Sequence, residues 1–316
     1  MDPRHLWIDG VVVTADGLHL SAFDRGFQLG DGVFETLRAH GNHPTELPEH
    51  IARLRRSAEG LGIDLPVDLE EVLARAVTDL LDAEGLGGPT GDASLRITVT
   101  RGAYRGRGLL PGDEAVPATV VVQAWPVPPP PHGHLEQGLH LVASAVRRDP
   151  ENPLVGLKTT SRADYVYARL EARRAGADDA LFLTVDGFLS EATSANLFLV
   201  RDGRLRTPAL GCAILPGTTR SWILRWGAAL GLDPEEGWLT TTDLADADEA
   251  FVCSSVAGIL PVTRFEGRPI GDGRPGAWSL RARADREAFI AGDDAVPGAG
   301  PAPGDVAAAA PAADDR

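Results

Sequence analysis

The chain has 316 residues, 43% of them hydrophobic and 24% charged, which is enough for one large or two medium domains with buried cores. The 30 basic and 45 acidic residues give a formal charge of −15, which argues against a nucleic-acid or membrane partner because both require basic surface. No membrane span or signal peptide is predicted, and two cysteines cannot form a disulfide framework or a zinc cluster, so we expect a cytoplasmic protein without a metal.

Residues 1–124 are predicted to form an N-terminal α/β domain. Apolar, β-branched runs indicate strands, and apolar residues at helical spacing, such as Ile51, Leu54 and Ala58, indicate helices. We expect strands over Leu6–Val13, Phe34–Ala39, Leu95–Thr100 and Ala118–Gln123, a turn at Asp16-Gly17, and helices over Pro48–Leu61 and Val67–Leu81.

A proline run divides the chain. Residues 125–131 read Trp-Pro-Val-Pro-Pro-Pro-Pro, which is stiff, extended and unsuited to a sheet interior, so they predict an interdomain linker. Residues 132–291 are predicted to form a C-terminal cofactor-binding domain. Residues 292–316 are rich in Ala, Pro, Gly and Asp and predict a disordered tail.

The second half mixes strands and helices without strict alternation, which favours an α+β fold over a doubly wound sheet. The expected strands are Leu139–Val146, Ala180–Val185, Asn196–Val200 and Ala250–Cys253, and the expected helices are Ala163–Arg174, Thr218–Leu230 and Pro275–Ile290.

Lys158 is the single lysine, whereas the chain contains 29 arginines. Arginine replaces lysine well as surface charge, but a Schiff base requires a primary amine that can lose its proton, which a guanidinium essentially never does. One interpretation is codon drift with one accidental survivor. The other is that Lys158 is the position at which arginine cannot substitute, and the residues around it decide between the two.

Two segments suggest how such an amine would be used. Lys158 follows the apolar stretch Leu154–Leu157, and at the end of an apolar strand its pKa would be lowered by desolvation. Glu191 lies 33 residues further on. It is either a turn carboxylate on the surface or a buried carboxylate that pairs with a protonated ring nitrogen of a cofactor.

Four segments in this order resemble the class IV aminotransferase family, also called fold type IV pyridoxal-phosphate enzymes. They are Asp24–Arg38, His50–Leu54, Lys158–Phe198 and Leu215–Val262, within a match over residues 6–290. The resemblance implies a two-domain, D-amino-acid-aminotransferase-like fold and pyridoxal 5′-phosphate as the cofactor. It also implies a homodimer with sites near the subunit interface, acting on a small-molecule substrate.

The resemblance implies a role for each of six residues around the cofactor. Lys158 matches the Schiff-base lysine and general base, Glu191 the carboxylate on the pyridine nitrogen, Arg53 the phosphate clamp, Thr218 and Thr219 the helix start that receives the phosphate, and Ser255 the hydroxyl completing that cradle. A helix start suits a phosphate because its backbone N–H groups and dipole attract anions. The alternative for Arg53 is a solvated helix charge, as expected for its neighbours Arg55 and Arg56.

Three features resemble the 4-amino-4-deoxychorismate lyases of this family, which form 4-aminobenzoate and pyruvate for folate biosynthesis. Thr36 matches the lyase threonine near the reacting atoms. Ala163, preceded by Arg162, stands where branched-chain aminotransferases carry tyrosine. The loop Thr100–Gly108, with Arg107, resembles the arginine-glycine loop of the lyase, so Arg107 and Arg162 are expected to bind the anionic substrate.

Other residues depart from the lyase. Ser161 stands where the lyase usually has asparagine, and Gly217–Arg220 resembles the transaminases. The lyase is the expected function, and the alternative is a class IV aminotransferase acting on branched-chain or D-amino acids with a 2-oxo acid acceptor. A binding protein without catalysis on the same scaffold is a third possibility, against which the intact Lys158, Glu191 and Arg53 argue.

Overall fold

The computed structural model describes residues 3–110, 116–131, 133–293 and 295–298, and within them the chain forms two sheets that meet at a cavity. The first sheet belongs to the N-terminal half and the second to the C-terminal half. None of the helices in these ranges is long and apolar enough to span a membrane.

The first sheet has six antiparallel strands in the order β2-β1-β6-β5-β3-β4. Its strands are β1 His5–Ile8, β2 Val11–Thr14, β3 Gly32–His40, β4 His43–Pro44, β5 Asp92–Thr100 and β6 Thr119–Pro126, and its helices are α1 Arg25–Leu29, α2 Leu47–Leu61 and α3 Leu69–Glu84. Helices α2 and α3 bury their apolar residues against the sheet, which forms one continuous core.

The second sheet has nine strands in the order β12-β11-β10-β13-β14-β7-β8-β9, with β15 paired to β14. Its strands are β7 Leu139–Arg148, β8 Asp179–Thr184, β9 Leu189–Ala192, β10 Asn196–Arg201, β11 Arg204–Pro208, β12 Glu235–Gly237, β13 Glu249–Ser254, β14 Gly258–Phe265 and β15 Arg268–Pro269. Its helices are α4 Ala163–Arg174, α5 Thr218–Ala229, α6 Thr241–Ala245 and α7 Ala277–Ile290, with a 3-10 turn at Leu210–Cys212. The mixed architecture confirms the predicted α+β class.

The first predicted strand is wrong, because Leu6–Val13 is a hairpin rather than one strand. Asp9 and Gly10 form a two-residue turn, both with positive φ (46° and 102°). An Asp-Gly pair adopts this conformation readily and matches the twist of paired strands. The Asp9 side chain also accepts a hydrogen bond from the Val120 N–H at 2.7 Å. The turn chemistry therefore outweighs the continuous apolar run.

Lys158 does not lie at the end of a strand as predicted. Strand β7 ends at Arg148, and the segment up to α4 is a loop in which Pro150 and Pro153 cannot donate to a sheet. The loop is instead tied to the first sheet. The Phe34 N–H donates to the Lys158 carbonyl at 3.0 Å, and the Thr160 N–H donates to the Gly32 carbonyl at 2.8 Å.

The predicted linker begins later than residue 125. Trp125 and Pro126 belong to β6, where they pair with Ser94 and Ala93. Strand β1 pairs with β6 only around residues 121 and 122, so Pro126 replaces no donor needed on that side. Residues 127–131 then connect the halves and line the cavity.

Part of the predicted tail packs on the C-terminal half. Residues 299–316 lie outside the described residues. Before them, Val296 is buried in the core beside α5, and the Gly298 carbonyl accepts a hydrogen bond from Arg225 Nε at 3.4 Å. Ordered structure thus continues past the predicted boundary at residue 292, because a single apolar side chain docks within a stretch of small residues.

A buried ion pair joins the two halves. Arg286 of α7 donates to both Glu46 carboxylate oxygens, at 3.2 and 2.6 Å, and both side chains are almost fully buried. Glu46 immediately precedes α2, so the pair holds α2 against the C-terminal half.

Arg286→Ala is expected to lower the free energy of unfolding by about 3–5 kcal/mol, because it leaves the buried Glu46 carboxylate without this partner. Denaturant titration measures the change. Arg281→Ala is the matched control on the same helix, since Arg281 is half-exposed and pairs with Asp285 at 3.4 Å. We expect less than about 1 kcal/mol for that pair. Equal losses in the two variants would contradict a stabilising role for the buried pair.

Candidate active site

A cavity of about 670 Å³ opens between the two sheets. Its walls come from β3, β5, the segment after β6, the Lys158 loop, β9, the start of α5, the loop after β13, and α7. Eight of the nine residues predicted from the sequence line it: Thr36, Arg53, Lys158, Arg162, Glu191, Thr218, Thr219 and Ser255. The structure therefore brings together side chains that are separated by more than 200 positions in the chain.

The Lys158 amine is desolvated within this cavity. Its Nζ lies 4.6 Å from the centroid of the Phe34 ring, and its backbone N–H donates to Ser57 Oγ at 3.1 Å. Burial, followed by the positive charge of Arg53, lowers the pKa of Lys158 to about 7. In a large fraction of the molecules, Lys158 therefore carries an uncharged, nucleophilic amine near neutral pH.

Glu191 is buried on β9 and is not a surface turn carboxylate. One of its oxygens accepts hydrogen bonds from the Leu215 N–H at 2.9 Å and from Asn196 Nδ2 at 3.3 Å. Burial raises the pKa of Glu191, and the Leu215 hydrogen bond and the charge of Arg148 oppose that rise. Such a carboxylate gains stability from any cation that enters the cavity beside it.

Arg53 is held by a carboxylate that the sequence reasoning did not single out. Glu35 of β3 accepts from Arg53 Nε at 2.8 Å and from Nη2 at 2.7 Å. Burial alone would raise the pKa of Glu35, but Arg53 and His50 bring it down to about 2. Arg53 Nη1 also donates to the Pro216 carbonyl at 3.0 Å, so two of its five N–H donors remain for a ligand.

The start of α5 provides an anion site at the same end of the cavity. Gly217 caps the helix without a side-chain hydrogen bond, so the first backbone N–H groups have no side-chain acceptor. Thr218 Oγ1 lies 3.3 Å from Ser255 Oγ. Thr219 Oγ1 is buried and has no hydrogen-bond partner among the described residues. These donors converge where a helix dipole favours negative charge.

Two arginines flank the Phe34 ring, which is part of the cavity lining. The Arg96 guanidinium lies 4.0 Å from the ring centroid, and that of Arg162 lies 5.7 Å from it. Arg162 donates to the Thr193 carbonyl at 2.9 Å, whereas Arg96 forms no ion pair within the described ranges. Burial and the charge of Arg162 lower the pKa of Arg96. Sequence reasoning missed Arg96, because it occupies a partly buried position of an alternating strand, where a charged residue is ordinary.

Tyr165 places a phenol on the cavity wall two positions after Ala163. The Arg162 guanidinium lies 3.1 Å from the centroid of the Tyr165 ring. The Arg148 guanidinium lies 4.1 Å from the same centroid and 4.0 Å from that of the Phe182 ring. Burial, followed by the charge of Glu191, raises the pKa of Tyr165. The cavity therefore contains a tyrosine although position 163 does not.

Arg107 is the predicted site residue that the structure does not bring to the cavity. It is exposed on the loop after β5. That loop is fixed elsewhere, because Arg25 donates to the carbonyls of Gly108 and Leu109 while its Nε binds Asp31 at 2.8 Å. Within a single chain, Arg107 and Lys158 do not share a site.

The family model described as "Amino-transferase class IV" matches residues 32–265. A relative from Methanocaldococcus jannaschii, provisionally named a branched-chain-amino-acid aminotransferase, is 36% identical over 86% of this chain and 91% of its own length. A Bacillus licheniformis D-alanine aminotransferase is 33% identical over 80% of this chain and 85% of its own. A Vibrio harveyi aminodeoxychorismate lyase is 30% identical over 81% of this chain and 90% of its own.

A solved structure also superposes on the chain. It is a branched-chain amino acid aminotransferase, of a source abbreviated T.th., determined with pyridoxamine 5′-phosphate. The TM-score is 0.85 at 29% identity, covering 93% of this chain and 96% of the other. That enzyme contains a phosphorylated pyridine cofactor. The present cavity has the groups such a molecule requires: a free amine at Lys158, a buried carboxylate at Glu191, and unpartnered donors at the start of α5 for a phosphate.

Chemical labelling tests the desolvation of Lys158 in the cofactor-free enzyme. Only the uncharged amine is acylated, so the labelling rate should increase with pH through about 7 rather than through the usual value near 10. Pulse labelling with acetic anhydride and mass spectrometry of the Lys158 peptide measures the profile. The N-terminal amine serves as the internal reference. A midpoint above about 9 would show that the amine is solvated.

Proposed function

Because the chain belongs to the class IV aminotransferase family and is a pyridoxal-phosphate enzyme, we propose that it transfers the amino group of a branched-chain amino acid to a 2-oxo acid. The observation that carries this proposal is the pair of cations, Arg96 and Arg162, that flank Phe34 next to the Lys158 amine. The Methanocaldococcus jannaschii relative and the superposed structure both carry the name branched-chain aminotransferase, which supports the alternative expectation better than the lyase.

The residues that line the cavity would hold the cofactor as follows. Lys158 would bind its aldehyde carbon, Glu191 would pair with its ring nitrogen, and Arg53, Thr218, Thr219 and Ser255 would bind its phosphate. When bound, the cofactor supplies a cationic ring that withdraws electrons from the amino acid. Glu191 would keep that ring protonated because a buried carboxylate without a cation is unfavourable.

Lys158 would act as the base that moves a proton of the substrate. After the substrate amine displaces it from the aldehyde carbon, the Lys158 amine would be free to accept a proton from the substrate Cα and to release it again, which burial favours by lowering its pKa. An arginine at this position would remain protonated and could do neither. This requirement explains why lysine is retained here in a chain whose other basic residues are all arginine.

The walls favour an amino acid with an apolar side chain. Arg96 and Arg162 would bind the substrate carboxylate, because Arg96 forms no ion pair among the described residues and a guanidinium binds a carboxylate with two hydrogen bonds. Elsewhere in the cavity lining, the ring of Phe34, the side chains of Val256 and Leu260, and the prolines after β6 supply apolar surface. A branched aliphatic side chain would bury its surface there.

The lyase is the second candidate, and Thr36 is the observation that favours it. Thr36 lines the cavity and pairs across the sheet with Arg96, and in a lyase its hydroxyl would deliver a proton. The other two arguments for a lyase are weaker in the structure. Arg107 does not reach the cavity of its own chain, and Tyr165 supplies the phenol that position 163 lacks.

We also propose that the protein is a homodimer. An apolar patch is exposed next to the cavity, with Phe27 77% and Leu109 80% accessible. The patch comprises Phe23, Phe27, Leu29, Leu109 and Leu110. It adjoins the Lys158 loop because Thr160 Oγ1 donates to the Gly30 carbonyl at 2.8 Å. Patches of this kind mark protein interfaces, and a second copy placed here would lie beside the active site.

Activity assays with the loaded enzyme test the reaction. We expect amino transfer from L-leucine, L-isoleucine or L-valine to 2-oxoglutarate, and no 4-aminobenzoate from aminodeoxychorismate. Arg96→Gln should raise KM for the amino acid roughly tenfold or more, the loss of a charge-assisted hydrogen bond, while the exposed Arg55→Gln should not. Formation of 4-aminobenzoate would establish the lyase instead. Transfer confined to D-alanine would refute the branched-chain assignment.

Light scattering during size exclusion tests the dimer. The wild type should elute at twice the chain mass, and Phe27→Glu should shift it to the monomer because a charge would be buried at the interface. Val67→Glu is the control, since Val67 is fully exposed before α3 and away from the patch. If Phe27→Glu remains a dimer, the apolar patch is not the interface.

A further inference from the structure

A buried histidine contacts two hydroxyls of the anion site, those of Thr218 at the start of α5 and of Ser255 in the loop after β13. His50 of α2 is 1% exposed, and its Nδ1 is 2.7 Å from Glu35 Oε2. On the other side of the ring, Nε2 is 3.3 Å from Thr218 Oγ1 and 3.5 Å from Ser255 Oγ. His50 therefore connects the carboxylate that holds Arg53 with both hydroxyls of the anion site.

The position of the imidazole proton follows from Glu35. Nδ1 also lies 3.4 Å from Arg53 Nη2, but that group already donates to Glu35 at 2.7 Å. An ionised carboxylate only accepts hydrogen bonds, so the shorter contact places the proton on Nδ1, which donates to Glu35. Burial lowers the pKa of His50, which leaves the ring neutral. In a neutral imidazole with the proton on Nδ1, Nε2 has one lone pair and accepts one hydrogen bond.

Only one of the two hydroxyls can satisfy that lone pair. Thr218 is nearer to Nε2, is buried, and has a β-branched side chain with few rotamers. Ser255 lies in the loop after β13 and is only partly buried. When the Thr218 hydroxyl donates to His50, Nε2 does not need the Ser255 hydroxyl. Ser255 Oγ, which lies 3.3 Å from Thr218 Oγ1, can then donate its proton to an anion in the cavity.

We propose that His50 is a positioning residue that gives the two hydroxyls different tasks: Thr218 donates its hydroxyl to His50 and offers only its backbone N–H to the cofactor phosphate, whereas Ser255 donates its hydroxyl to the phosphate. The proposal rests on the placement of the phosphate at the start of α5 described above. It also gives Glu35 a double task, because the same carboxylate orients Arg53 and fixes the tautomer of His50.

Cofactor affinity distinguishes the two hydroxyls. Ser255→Ala should raise the dissociation constant of pyridoxal phosphate roughly tenfold, because it removes a hydrogen bond to a charged group. Thr218→Val, which keeps the shape and the backbone N–H, should change it less than about threefold. Equal weakening by Ser255→Ala and Thr218→Val would overturn the division of tasks. Release of cofactor from the holoenzymes, followed by absorbance, gives the comparison.

Nitrogen-15 NMR of the histidine side chains measures the tautomer of His50 directly in the folded wild-type holoenzyme. We expect the tautomer with a proton on Nδ1, assigned by comparison with His50→Gln. Thr218→Val should shift the Nε2 resonance, and Ser255→Ala should not. A protonated Nε2, or a shift caused by Ser255→Ala alone, would overturn the proposal even if a variant had altered stability.

A separate pair of variants tests the placement itself. Arg53→Lys should weaken cofactor retention, and Arg55→Lys should not, because Arg55 is exposed and pairs only with Glu70 at 3.4 Å among the described residues. If Arg53→Lys and Ser255→Ala both leave the dissociation constant unchanged, the phosphate lies elsewhere and the proposed site arrangement fails. If Arg53→Lys weakens binding while Thr218→Val matches Ser255→Ala, only the role of His50 fails.

Discussion

Desolvation of one amine is the constraint on which the rest of the site depends. Lys158 is held in a loop that hydrogen-bonds to β3 of the other sheet, so its position requires both halves of the chain to be in contact. Burial and the nearby charge of Arg53 lower its pKa to about 7. The free amine is therefore available because the two sheets pack around it, and the Arg286–Glu46 ion pair stabilises that packing.

The cavity also has to keep several cationic groups available for anions, although it contains carboxylates of its own. Glu35 is central because it is ionised, fully buried and bound to both Arg53 and His50. It neutralises Arg53 in part and still leaves donors of that guanidinium for a ligand. Elsewhere in the cavity lining, the partly buried Arg96 lies 4.0 Å from the centroid of the Phe34 ring, whose quadrupole stabilises this cation until a carboxylate binds.

The sequence predicted the chemistry of the site better than its surroundings. Lys158, Glu191 and Arg53 were identified from motifs, whose residue types are limited by the reaction. Glu35 and His50 were not, because their importance arises from contacts between α2, β3 and α5 that no local pattern encodes. Arg107 differs from these residues: its loop resembles a substrate-binding motif, but Arg25 binds that loop outside the cavity of its own chain, so its role stays a prediction.

The secondary structure shows the same contrast between features that local sequence determines and features that distant contacts determine. Helix α4 was predicted with correct ends and α2 to within one residue, because their composition and apolar spacing act locally. Short strands such as β9 were missed, since every residue of β9 is buried and no alternation is visible. Its burial depends on β8 and β10, which lie elsewhere in the chain.

Borohydride reduction of the cofactor-loaded enzyme, followed by peptide mass spectrometry, tests the central assignment most directly. The chain contains one lysine, so Lys158 and the N-terminus are its only primary amines. We predict that the phosphopyridoxyl mass is found on the peptide containing Lys158, and that it is lost in Lys158→Arg because a guanidinium provides no free amine. A label on the N-terminal peptide, or an equal yield in Lys158→Arg, would contradict the assignment of Lys158 as the cofactor-binding residue.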